Sequence, residues 1–181
     1  QTSRPTLFAG LIPMADDEAA IRLVAALRDA PLVDIAAVEY MDRRCLELLR
    51  EDGACERAGV ALAADTGAAL LFQAELPPGM TTAEAADQLA AAGDPAAGDA
   101  EQNSPLLALC RLLADHGVLD STLPALPGAQ ARRDALFALR AAGPAAFNAP
   151  GGRTARAIDS AIAQSASDLH GPCIHLGLSP V

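Results

Sequence analysis

The chain has 181 residues, with 13 basic and 23 acidic side chains and a formal charge of −10. That acidic balance lacks the basic footprint a phosphate backbone needs, which argues against a nucleic-acid partner, and no apolar run approaches the roughly 20 residues that cross a bilayer. All 13 basic residues are arginine, and only five residues are aromatic, none of them tryptophan. A lysine Schiff base and a P-loop lysine are therefore excluded, and a platform for stacking bases or sugars is disfavoured.

The length suits one domain with a hydrophobic core of its own. Thr6 to Pro13 is an apolar run of strand length closed by a proline. Asp16, Asp17 and Glu18 open a helix at its positive end, and Ala20, Ile21, Val24 and Leu27 follow at helical spacing as its buried face. Leu32 to Tyr40, rich in branched residues, reads as a second strand. Asp42 is placed to cap a helix that carries Cys45, Leu46, Leu48 and Leu49. The stretch from Gly53 to Asp65 reads as a connection, with or without a short strand. Ala68 to Leu76 is a third strand, whose later half alternates Phe72, Ala74 and Leu76 against Gln73 and Glu75.

Pro77-Pro78-Gly79 is a turn, and Thr82 heads a helix through Leu89. Residues 93–104 (GDPAAGDAEQNS) form a polar break expected to be a mobile loop. Leu106 to His116 is a helix ended by Gly117. Val118 to Leu126 is a weaker, proline-bearing strand, suited to a sheet edge. Ala129 to Ala142 is a helix that Gly143-Pro144 should break. A loop is expected from Phe147 to Arg153, a last strand or short helix within 157–169, and a tail of little pattern from Gly171. The order of strands and helices predicts an α+β fold: a ferredoxin-like α/β sandwich in which an antiparallel sheet carries helices on one face.

Standard catalytic motifs are absent from the sequence: it holds no GxGxxG, Walker loop, GxSxG or HExxH. Cys45, Cys55, Cys110 and Cys173 form no CxxC pair, a pattern that fits reduced, mostly buried thiols in a cytoplasmic protein. His170, Cys173 and His175 (HGPCIH) offer three metal donors at a spacing that matches no zinc module, so the segment reads as an irregular tail and no metal site is assigned. Asp16-Asp17-Glu18 reads as a solvated helix start rather than a cation site. Arg140, late in its helix, is the side chain best suited to hold a carboxylate through two parallel hydrogen bonds.

Three segments together resemble the C-terminal domain of FAD-linked oxidases. LVDIAAVEYMDRRCLELLRE (32–51) carries a strand ending in Glu-x-x-Asp, here Glu39 and Asp42, before a helix with Arg43 and Leu46. GAALLFQAEL (67–76) resembles the family's next strand. RRDALFALRAAGPAAFN (132–148) resembles a helix with a Leu-Trp-x-Leu-Arg core, in which Phe137 replaces the tryptophan and Arg140 holds the arginine position. The segment 16–32 resembles the helix that opens the domain.

The family includes D-lactate dehydrogenases and the FAD subunit of glycolate oxidase, flavoproteins of the vanillyl-alcohol-oxidase type. The resemblance implies a ferredoxin-like substrate or cap domain spanning 1–181, a fragment of a larger flavoenzyme that oxidises a 2-hydroxy acid. FAD would be held mainly by another domain of the same polypeptide, the chain would be inactive alone, and Arg140 would bind the substrate carboxylate. Gln164 stands where the family often has a lysine, and the family's Gly-rich histidine motif has no counterpart, so no catalytic residue is carried over. The alternative is a stand-alone ferredoxin-like interaction or small-ligand regulatory module, of the kind that forms a homodimer through sheet edges.

Overall fold

The computed structural model describes residues 5–92, 104–148 and 173–176, with backbone alone for 143–148 and 173–176. Five strands form one antiparallel sheet: β1 (Thr6–Met14), β2 (Asp34–Asp42), β3 (Ala68–Leu76), β4 (Leu123–Ala125) and β5 (Cys173–Leu176), in the spatial order β4-β1-β3-β2-β5. The first four strands stand in the order of a ferredoxin-like plait, and β5 extends it beyond β2.

Among the described residues six helices accompany the sheet: α1 (Asp17–Asp29), α2 (Arg43–Glu51), α3 (Ala54–Arg57), α4 (Thr82–Ala92), α5 (Pro105–Asp115) and α6 (Gln130–Asn148). Among the described residues no helix is long and apolar enough to cross a membrane.

The pleat sorts β1 onto two cores. Phe8, Ile12 and Met14 face one way and join Leu23 and Leu27 of α1 and Leu106, Leu109 and Leu113 of α5. Ala9 and Leu11 face the other way and join Leu46 and Leu49 of α2, Cys55 of α3, and Leu136 and Leu139 of α6. Helices thus cover both faces, where the sequence led us to expect one. The physical reason is visible in β3. Ala68 to Phe72 is an unbroken apolar run buried at every position, which a strand solvated on one face would not tolerate. Alternation begins only at Gln73, where the second cover thins.

Local chemistry sets the element ends. Asp16 caps α1 by accepting from the Ala19 N–H at 2.7 Å, and Asp42 caps α2 by accepting from the Cys45 N–H at 2.7 Å. Gly67 leads into β3 against the chain leaving β1. A Cβ there would sit 2.1 Å from the Ala15 carbonyl oxygen, so only glycine lets the two backbones approach so closely.

Several expectations need correction. Ile21 is 62% exposed, while Ala20, Leu23 and Leu27 form the buried stripe of α1. One residue turns the helix by about 100°, which carries Ile21 off the line of Ala20 and Leu27. The stretch after Gly53 holds the short helix α3 rather than a strand. Helix α6 continues through Gly143-Pro144 to Asn148. Pro144 withholds one hydrogen bond, from the Arg140 carbonyl, and the helix continues past it. The patternless tail contains β5, a strand too short to show a period and ordered by its pairing with β2. As expected, β4 lies at a sheet edge and contains Pro124. The loop expected at 93–104, except Ser104, and the element expected within 157–169 lie outside the described residues.

Candidate functional site

Arg140 and Glu39 meet on the α6 side of the sheet. Glu39 lies between Val38 and Tyr40 in β2, both of which belong to the opposite core, so the pleat directs Glu39 toward α2 and α6. It stands in register with Leu71 of β3 and with His175 of β5, in a strand paired on both sides. Arg140 follows the buried Leu136 by one turn of α6 and so projects from the rim of that helix's packed face. Its Nη1 lies 3.0 Å from Glu39 Oε1; the Arg140 side chain is 57% exposed and that of Glu39 only 7%.

The burial of Glu39 makes this pair asymmetric. A carboxylate taken out of water needs a counter-charge, and Arg140 supplies one from the solvent side. Half-exposure of the arginine screens the attraction, so removing it would cost about 1–3 kcal/mol rather than the full penalty of a buried, abandoned charge. A guanidinium carries five N–H donors in a planar fork. With Nη1 on Glu39 and more than half of the side chain in solvent, the group retains capacity to receive a second carboxylate.

The other candidate residues are engaged in holding the fold. Asp16 is an N-cap, Asp17 accepts from the Tyr40 hydroxyl, and Glu18 pairs with Arg22 at 2.6 Å, as suits a helix start. Burial, the hydrogen bond to Asp17 and the charges of Asp17 and Asp42 push the Tyr40 hydroxyl well above its usual range, so it stays protonated as a donor. Cys45, Cys55 and Cys110 are buried and in the reduced form. Burial pushes Cys110 up to about 12 and raises Cys55, which leaves both as neutral core groups rather than nucleophiles.

His116 follows α5 as its C-cap. Cys173 and His175 fall in β5, opposite Met41 and Glu39, while His170, Gly151, Gly152 and Arg153 lie outside the described residues. Among the described residues no group of three or more His, Cys, Asp or Glu is placed to hold a metal ion.

Among the described residues two grooves lie elsewhere. One of about 330 Å³, beside β4, is lined mainly by Phe8, Leu89, Leu113, Leu119 and Pro124, with Asp120 and Thr122 as its polar members. The other, about 200 Å³, runs between α3 and α6, where alanines of both helices, Ala58 and Leu139 surround Arg57.

Sequence reasoning identified Arg140 as a candidate and left its partner out. The missed signal was Glu39 itself, a lone acid within the apolar run Ala36 to Met41, where an unpaired carboxylate would be costly. No protein-family model, curated protein or solved structure matches the chain.

Proposed function

We propose that the chain is the substrate or cap domain of a flavin-dependent dehydrogenase or oxidase acting on a 2-hydroxy acid such as D-lactate or glycolate. FAD is held mainly by another domain of the same polypeptide, in a cytoplasmic enzyme. The observation that carries this reading is the Glu39–Arg140 pair. Each residue belongs to a different segment resembling FAD-linked oxidases, and the fold joins them at one exposed guanidinium. The ferredoxin-like strand order and the reduced, buried cysteines also support it.

In this reading Arg140 receives the substrate carboxylate and fixes the orientation of the carbon beside it. A bound flavin would supply the two-electron acceptor for oxidising that carbon's hydroxyl to a carbonyl, the hydroxyl proton leaving to solvent or a base. Neither groove is assigned to the flavin: the larger is of mixed polarity and offers only the Asp120 and Thr122 side chains to polar ring edges, and the smaller sets Arg57 among alanines and Leu139.

The test is the visible absorption spectrum of the complete gene product. We expect flavin bands that bleach when D-lactate or glycolate is added without oxygen. A product without flavin, or flavin that no 2-hydroxy acid bleaches, would overturn the reading in favour of a stand-alone interaction or small-ligand module.

A further inference from the structure

We infer that Glu39 is a positioning residue for substrate capture: it fixes the Arg140 guanidinium so that the fork's solvent-facing N–H groups meet the substrate carboxylate. This deepens, and rests on, the proposed role of Arg140. An arginine at a helix rim ordinarily samples many rotamers, and a ligand must order it on binding. Here the ordering partner belongs to the fold. Glu39 is held in a strand paired with Leu71 on one side and His175 on the other, and its carboxylate grips Nη1 at 3.0 Å. Because Glu39 is buried and Arg140 is not, an arriving anion meets the guanidinium first.

Two effects of Glu39 oppose each other. Its negative charge repels an incoming carboxylate, and its grip removes the disorder that capture would otherwise have to overcome. The ordering effect wins on this geometry, because the repelling charge sits behind the guanidinium and is already neutralised by it. The opposite signs make the experiment decisive.

The dissociation constant for D-lactate is measured on the complete gene product for the wild type, Glu39→Gln, Glu39→Asp, Arg140→Lys and the Glu39→Gln/Arg140→Lys double variant. Arg140→Lys keeps a counter-charge for Glu39 and so guards the fold. Glu39→Gln should weaken binding by about five- to tenfold, the scale of ordering one long side chain. Glu39→Asp should restore part of the loss. In the Arg140→Lys background, where no fork remains to be oriented, Glu39→Gln should change affinity by less than about twofold. Unchanged or tighter binding in Glu39→Gln, an equal loss in the lysine background, or no D-lactate binding by the wild type would overturn the inference. Flavin content of the same samples keeps the two claims apart. A flavin-free product with the expected affinity pattern removes the flavoenzyme and leaves the positioning role, and a flavin-bearing product without the pattern does the reverse.

Discussion

Tyr40 and Glu39 are neighbours in β2 that face opposite cores; the Tyr40 hydroxyl donates to Asp17 and the Glu39 carboxylate pairs with Arg140. For Tyr40 the consequence is a pH dependence of stability. Its hydroxyl ionises at 10.0 when unperturbed and well above that in the fold, because burial and the Asp17 carboxylate both penalise the phenolate. A raised folded value means that the stability it contributes is complete below the unfolded value and is lost as pH rises through the folded one. Denaturant unfolding from neutral pH upward should therefore show wild type weakening above pH 10.0, with a shallower decline in Tyr40→Phe. Parallel curves would show that the hydroxyl is not buried against Asp17. The capping place of Asp42 and the helix-start place of Asp16 were legible from residue type and position. The partnership of Glu39 was not, because it depends on which face of β2 meets α6.

At the scale of elements, propensity and tertiary contact divide the credit. The apolar runs of β1 and β3 and the capping aspartates of α1 and α2 declare themselves locally. The continuation of α6 past Gly143-Pro144 and the existence of β5 do not. A Gly-Pro pair is a breaker by composition, yet a helix whose Leu136 and Leu139 are already anchored in the core can tolerate one missing hydrogen bond. A four-residue strand has no period to read and exists through pairing with β2. A tight joint between elements lies at Gly67. Gly67→Ala should destabilise the chain by about 1–3 kcal/mol, since the Ala15 carbonyl oxygen would have to move by more than a side-chain adjustment allows. An unfolding midpoint equal to wild type would mean that the β1 exit and β3 entry are farther apart than described.

The whole molecule is a four-strand plait extended by β5 and closed on both faces, with its cores divided between α1, α4 and α5 on one side and α2, α3 and α6 on the other. The strand order was accessible from the alternation of elements. The second cover was not stated by that order, although the uninterrupted burial of early β3 records it. Covering the second face is what gives Glu39 its environment, since a carboxylate on an open sheet face would be solvated and would need no arginine. The functional reading therefore depends on architecture as much as on motif. In an acidic chain of charge −10, the proposed reading makes this local cation, held against a buried acid, the means of receiving a small carboxylate. The most direct measurement is the initial rate of flavin bleaching by D-lactate, without oxygen, in the complete gene product and its Arg140→Lys variant. The account predicts bleaching in both, with half-saturation in the variant raised about tenfold or more by loss of the two-pronged contact; identical half-saturation, or no bleaching in the wild type, would contradict it.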